Sequence, residues 1–271
     1  MTAFSSSARN MRSSEIRRLM KLAADPSVIS FAGGMPNNDL FPVEAIDELY
    51  AGLPLAAKQA GFQYGPTSGF PPLLEALREY LGGRGLPLEG NGLIVTTGAQ
   101  QALNLLAKVF IDPGDRIITE YPSFIGALAA FKSYGAELHG VPMDAEGILL
   151  DKLNDALDSY AGEHLKMLYL CPCFHNPAGT VYTLERKKKL LEALKGRDIV
   201  LIEDDPYSEL YFDEADKPLT QPMKAMGEEP VPIAYVGSFA KILGPGMRLG
   251  WLLAPEEIVE KVELAKQSMD A

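Results

Sequence analysis

Lys241 stands in the run GSFAKILGPGMRLGW, residues 237–251, between Ser238 and Arg248 in a loop rich in Gly and Pro. A lysine amine can form a Schiff base with an aldehyde and reacts best when it holds its proton loosely. Arg248 offers a planar fork that matches a phosphate group. Three further segments carry the residue types that such a pair would need. In IVLIEDDPY, residues 199–207, an apolar run leads directly into Glu203, Asp204 and Asp205. A carboxylate that leaves a buried strand this way is costly unless it meets solvent or a cation. In HNPAGT, residues 175–180, Asn176 precedes a proline, which keeps it out of the helical region with its amide available to a ligand. In TTGAQQ, residues 96–101, Gly98 permits a tight turn, and the amides of Ala99 and Gln100 open a helix. Such an end attracts phosphate through its N–H groups and the helix dipole.

Each segment also has a blander reading. TTGAQQ can be an ordinary capped helix, EDDPY a solvated turn started by Asp205 before Pro206, and HNPAGT a turn leading into the next helix. His175, a lone histidine in a loop, reads as a surface residue rather than a catalyst. Metal binding is a poor fit, since the acidic run has no nearby histidine, and Cys171 and Cys173 are badly spaced for zinc. What the segments satisfy jointly is pyridoxal 5'-phosphate. That cofactor needs a helix N-terminus, hydroxyls and an arginine for its phosphate. It needs a carboxylate opposite the ring nitrogen, donors at the phenolic oxygen, a lysine for the aldehyde and an aromatic against the ring.

The elements that must position these residues form an α/β rhythm. Strands are expected at Leu93–Thr96, Arg116–Thr119, Glu137–Val141, Met167–Leu170, Ile199–Glu203, Ile233–Val236 and Leu249–Leu253, making a seven-stranded, mainly parallel (mixed) sheet sandwiched by helices. Gln101–Phe110 and Leu184–Leu194 have helical periodicity. The second carries Arg186, Lys187, Lys188 and Lys189, read as a solvated basic face. A short helix starting at Ser13 or Ser14 and running to Leu22 precedes the Gly- and Pro-dense SFAGGMPNNDLFP, and helical spacing returns at Glu256–Met269. All four candidate loops follow strand C-termini, where open α/β sheets collect ligands.

The 271 residues carry 47% hydrophobic and 23% charged side chains, the balance of a globular protein. A net charge of −11 disfavours a nucleic-acid surface. Neither a signal peptide nor an 18-residue apolar run is present, so no membrane association and a cytoplasmic location are expected.

The order of SFAGGMPNNDLFP, QYGPTSGFPPL, TTGAQQAL, EYPSF, HNPAGT, EDDPY and SFAKILGPGMRLGW resembles fold-type I pyridoxal-phosphate aminotransferases, most closely the kynurenine and α-aminoadipate branch. The resemblance runs from about Ile16 to the end. It implies the large domain of the aspartate-aminotransferase-like fold over 45–271, with 1–44 an arm that contributes to a small domain. The rest of that small domain, including the arginine that grips the substrate α-carboxylate, would lie beyond Ala271. By the same resemblance Lys241 binds the cofactor aldehyde and moves the substrate proton, and Asp204 partners the ring nitrogen. Asn176 and Tyr207 bond the phenolic oxygen, and Phe124 stacks on the ring. Gly98, Ala99, Gln100, Ser238 and Arg248 cradle the phosphate, while Tyr64 reaches the neighbouring subunit's site in a homodimer. Arg17, Gly34 and Asn176 contact substrate. The chain departs from the family at Ala99 and Ala240, where serines are usual. The implied reaction is amino-group transfer between an amino acid and a 2-oxo acid, with 2-aminoadipate-, kynurenine-, aromatic- or branched-chain-type substrates. A β-lyase, a decarboxylase or an impaired cofactor-binding fragment would use the same apparatus.

Overall fold

The computed structural model describes residues 34–162 and 164–270, together with positions 3–4, 8 and 27–29. It divides into two compact units, 1–61 and 62–271. In the first unit a 3-10 turn, Asn38–Leu40, is capped by the Asn37 side chain and followed by α1 (Val43–Gly52) and α2 (Leu55–Ala60). The helix expected from Ser13 or Ser14, and Arg17 with it, lies outside the described residues. Gly34 is exposed with φ +53°.

The second unit runs α3 (Pro71–Gly83), β1 (Asn91–Thr96), α4 (Ala99–Phe110), β2 (Arg116–Tyr121), α5 (Ile125–Ser133), β3 (Glu137–Asp144), β4 (Gly147–Ile148), α6 (Leu150–Ser159), β5 (Leu165–Leu170), α7 (Leu184–Leu194), β6 (Val200–Asp205), β7 (Ile233–Ser238), β8 (Gly250–Pro255) and α8 (Glu256–Gln267). The sheet order is β1-β8-β7-β6-β5-β2-β3-β4. Strands β3, β2, β5, β6 and β7 are mutually parallel, whereas β8 runs antiparallel to both neighbours and β4 antiparallel to β3. The α/β class and the mixed sheet therefore stand, but the sheet has eight strands rather than seven. The extra one, β4, is a two-residue return strand, too short to leave a periodic signature.

Strict alternation along the parallel strands divides the core between two faces. Ile117, Met167, Tyr169, Ile202 and Val236 pack with α4, α5 and α8, while Ile118, Leu168, Leu170, Leu201 and Ile233 pack with α6 and α7. A third cluster joins α3 to Leu93, Tyr235, Trp251 and Leu253.

The basic face expected on α7 is only partly solvated. Lys187 is fully buried, and its Nζ donates to the carbonyls of Leu219 and Gln221, each at 2.7 Å. Arg186 pairs with Asp144 and donates to the Ile148 carbonyl. A buried ammonium is tolerated because acceptors replace its hydration. Lys187→Met should leave those carbonyls without a donor and lower the unfolding free energy by about 2–4 kcal/mol. Urea denaturation with an unchanged m-value would show it, and a wild-type midpoint would refute it.

Candidate active site

The sheet order reverses at β2: β3 lies on one side, and β5, β6 and β7 succeed one another on the other. The loops leaving these strands gather at one edge of the sheet, the position where α/β folds bind ligands. The loop that enters the antiparallel β8, and with it Arg248, comes to the same edge because β8 begins where β7 ends, with Ser238 opposite Gly250.

Alternation decides which carboxylate of EDDPY faces the site. Residues 200, 202 and 204 of β6 point to the α4–α5 side, where Tyr169 lies, and 203 and 205 point away. Glu203 accepts from the amides of Met223 and Lys224 at 2.6 and 3.0 Å and thus ties down a 3-10 turn. Asp205 accepts from Tyr235 Oη, Arg84 Nη2 and the Ser208 amide. Asp204 differs from both. One oxygen accepts from Tyr169 Oη at 2.7 Å, but the other, although buried, has no partner among the described residues. Burial drives the Asp204 carboxyl up to about 7. The Tyr169 hydrogen bond pulls it down, and the charges of Asp205 and Glu120 add to the rise. An unpaired buried carboxylate oxygen at a ligand edge is a place for a cationic N–H donor.

Lys241 follows β7 in a turn closed by bonds from the Leu243 and Gly244 amides to the Phe239 carbonyl. It is half-buried, and desolvation lowers its amine below the usual lysine range. Its Nζ stands 5.9 Å from the centre of the Tyr207 ring. Tyr207 Oη in turn accepts from Asn176 Nδ2 at 3.3 Å. Tyr207 thus lies between Lys241, over its ring, and Asn176, at its hydroxyl.

The anion cradle is built from backbone. Gly98 adopts φ +75°, and a Cβ there would stand 3.0 Å from Arg248 Nη2. At Gly250 a Cβ would meet the Gly98 carbonyl carbon at 2.7 Å and the Ala99 nitrogen at 2.8 Å, so β8 presses directly on this turn. Arg248 is exposed, is held in the left-handed region at φ +51°, and donates to the carbonyls of Pro245 and Thr97. Among the described residues no carboxylate pairs with it. The amides of Ala99 and Gln100 occupy the first turn of α4, where no intrahelical acceptor is available. Ser238 Oγ accepts from the Ala240 amide at 3.1 Å, which places this hydroxyl at the end of β7. Gln100 Nε2 donates to the Gly126 carbonyl, and the Phe124 ring lies across Gly126, so the helix start and the aromatic are fixed together.

Pyridoxal phosphate fits this arrangement on the structure's own terms. The orphaned Asp204 oxygen suits a protonated ring nitrogen, and the turn at Gly98 with Arg248 suits a phosphate. Gly98→Ala should strain the turn by about 1–3 kcal/mol and crowd Arg248. We expect cofactor affinity to fall about 10- to 100-fold while circular dichroism stays near wild type. Equilibrium dialysis with pyridoxal phosphate would read this, and unchanged affinity would remove Gly98 from the cradle.

Several expectations shift in the structure. His175 is not a surface residue: it is 1% exposed and bonded to Glu120, the first residue of EYPSF, 55 positions away. Tyr169, the donor to Asp204, also went unrecognised, because within a strand it looks like any aromatic core residue. Tyr64 is 86% exposed. Among the described residues no cluster of His, Cys, Asp or Glu could hold a metal, and no helix is long and apolar enough to cross a membrane. A hollow lined by Tyr160, Lys166, Arg197 and Glu257 opens where β5 and β6 begin, remote from these residues.

A mixed α/β sheet carries a half-buried lysine, a buried carboxylate and a glycine turn beside an arginine at its C-terminal edge. The model of the family "Aminotransferase class I and II" matches residues 26–269, and the chain belongs to that family. It is 42% identical to an aromatic-amino-acid aminotransferase of Thermococcus litoralis, over 98% of this chain and 64% of that protein. It is 40% identical to a 2-aminoadipate transaminase of Thermus thermophilus, over 99% of this chain and 65% of that protein. A crystal structure of a Pyrococcus horikoshii kynurenine aminotransferase in complex with PMP and KYN as substrates and KYA as product superposes with a TM-score of 0.89 at 40% identity, covering 98% of this chain and 66% of that one. The chain thus spans about two-thirds of the length of the relatives it matches.

Proposed function

We propose that this chain carries the cofactor site of an aminotransferase, which moves an amino group between an amino acid and a 2-oxo acid with pyridoxal 5'-phosphate. The observation that carries the reading is the buried Asp204 oxygen without a donor, at the same sheet edge as the desolvated amine of Lys241. When bound, pyridoxal phosphate supplies an aldehyde that takes up the amino group and a ring that withdraws electrons from the substrate. Asp204 holds a proton on the ring nitrogen. Lys241, its amine held below the usual lysine range by burial, would hold the aldehyde and would then move the proton to and from the substrate carbon. Asn176 and Tyr207 donate to the phenolic oxygen, and Phe124 covers one ring face. Gly98, Ala99, Gln100, Ser238 and Arg248 take the phosphate.

The named relatives, and the PMP in the Pyrococcus structure, support the cofactor and substrates of the aromatic, kynurenine or 2-aminoadipate kind. Residues 1–44 fit a substrate-covering arm, with Arg17 and Gly34 reaching the substrate, and 45–271 fit the cofactor-binding domain. A homodimer in which the exposed Tyr64 enters the partner's site, and a cytoplasmic setting, complete the reading. The chain is tested by loading it with pyridoxal phosphate, removing the excess, and recording visible absorbance and transfer products with amino acids added singly. A bound chromophore that bleaches with amino acid, with a new amino acid formed from the 2-oxo acid, is the expected result. Pyruvate and ammonia without an amino-acid product would replace transfer with elimination, and absence of any bound chromophore would overturn the site.

A further inference from the structure

We infer that Glu120 is the positioning residue for Asn176: its buried carboxylate gathers the loop after β5 and so sets where the Asn176 amide stands. Glu120 is the penultimate residue of β2, on the side away from Asp204, and it is 1% exposed. One of its oxygens accepts from the Cys171 amide at 3.0 Å and from His175 Nε2 at 3.1 Å, and the other accepts from Tyr182 Oη at 2.8 Å. The ring orientation is determined by its far side. Nδ1 of His175 accepts from the Ala178 amide at 3.1 Å, so the imidazole proton sits on Nε2 and points to Glu120. Among the described residues three donors and no acceptor bond this carboxylate, and they come from the first residue, the middle and the end of one segment, residues 171–182.

Between those anchors the backbone closes on itself. The His175 amide donates to the Thr180 carbonyl at 2.8 Å, the Gly179 amide to the His175 carbonyl at 2.6 Å, and the Tyr182 amide to the Pro172 carbonyl at 2.9 Å. Asn176 follows His175 directly, yet among the described residues its own side chain makes only a long bond, 3.3 Å, to Tyr207 Oη. That contact is too weak to place the amide by itself, since hydrogen bonds lose strength beyond about 3.2 Å. The placement therefore comes from the backbone, and the backbone is held by Glu120 from a strand 55 positions away from His175. The exchange is strongly one-sided: with the carboxylate gone, three buried donors lose their acceptor together, which lets the loop relax.

The inference rests on the proposed cofactor reading and deepens it, so the experiment separates the two. The chain is loaded with pyridoxal phosphate, and the pH midpoint of its bound visible band is measured. A donor to the phenolic oxygen favours the ionised oxygen, so loss of Asn176 raises that midpoint. Asn176→Ala should raise it by about one pH unit. Glu120→Leu should raise it similarly, and the double variant should show no further rise, the signature of two residues acting through one bond. Glu120→Gln keeps an acceptor for His175 and Cys171 and should stay close to wild type. Should Glu120→Leu fail to fold, His175→Leu deletes the link nearest Asn176 while leaving Glu120 two donors, and the same rise is expected. A folded Glu120→Leu or His175→Leu with the wild-type midpoint, or shifts that add in the double variant, would overturn the inference and leave the cofactor site intact. A wild-type chain with no bound band would instead sink the cofactor reading itself.

Discussion

Lys241→Ala is expected to lose the bound visible band and to lower amino-group transfer by at least about 10⁴-fold, since the proposed function puts anchoring and proton transfer in one amine. The position leaves little room for a substitute. Lys241 sits in a turn that begins directly after Ser238, the last residue of β7, and half-burial keeps its amine below the usual lysine range. Only the neutral amine can attack an aldehyde and accept a proton, and desolvation favours that form over what an exposed lysine shows. Lys241→Arg preserves charge but offers no nucleophilic or basic nitrogen, so it should be as inactive as alanine. The proposed phosphate cradle at Gly98 and Arg248 does not involve Lys241. Pyridoxal phosphate should therefore still bind, more weakly and without the band. A Lys241→Ala chain that keeps both the band and turnover would mean that another amine does the work.

The second large effect combines loss of function with a gain in stability. Asp204→Asn should slow transfer by about 10³-fold or more, because a neutral amide cannot hold the ring nitrogen in its protonated form. In the cofactor-free chain the same change should stabilise. The folded carboxyl sits at about 7, above its ordinary 3.8. Between those values the unfolded chain gives up this proton while the folded chain retains it. The folded state then binds more protons, and stability falls as pH rises through roughly 4 to 7 and levels off above. Asparagine removes that penalty, roughly 2–4 kcal/mol as an upper range. The cofactor-free variant should thus melt above wild type at pH 8 and match it near pH 4. Glu203, also raised to about 7 by burial, keeps part of the slope in both proteins. Adding pyridoxal phosphate should reverse the order at pH 8, because only the wild type gains a charge pair with the ring. Calorimetry at pH 4 and 8, with and without cofactor, reads all four states. If the cofactor-free variant melts below wild type at pH 8, the unpaired oxygen is not the source of strain described here.

Stored instability at a ligand site is the usual cost of preorganisation. Here it can be assigned to atoms. Glu203 and Asp205 are as buried as Asp204, and Glu203 is likewise pushed up to about 7, but both oxygens of each carry partners, backbone amides in one case and Tyr235, Arg84 and the Ser208 amide in the other. Arg84, at the end of α3, also bonds Tyr235 Oη and pairs with Glu209, and so steadies the turn that bears Tyr207.

The strands and site loops were legible because their causes are local. An apolar run of strand length followed by Gly, Pro or a carboxylate marks where a strand must end, and each of Gly98, Asn176, Asp204 and Lys241 falls just after or at such an end. What local pattern could not supply is the partner. His175 looked like a surface histidine because its acceptor, Glu120, arrives from β2. Lys187 looked like part of a solvated basic run because the carbonyls of Leu219 and Gln221 are more than 30 positions away. β4 was overlooked because two residues have no period.

The sequence by itself determined the α/β class, the order of the loops and the chemistry that those loops could perform, since residue type and hydrophobic spacing act over a few positions. Only the tertiary structure decided which carboxylate keeps one oxygen without a partner among the described residues, which lysine is buried and what holds Asn176, because burial and pairing depend on groups brought together from distant strands.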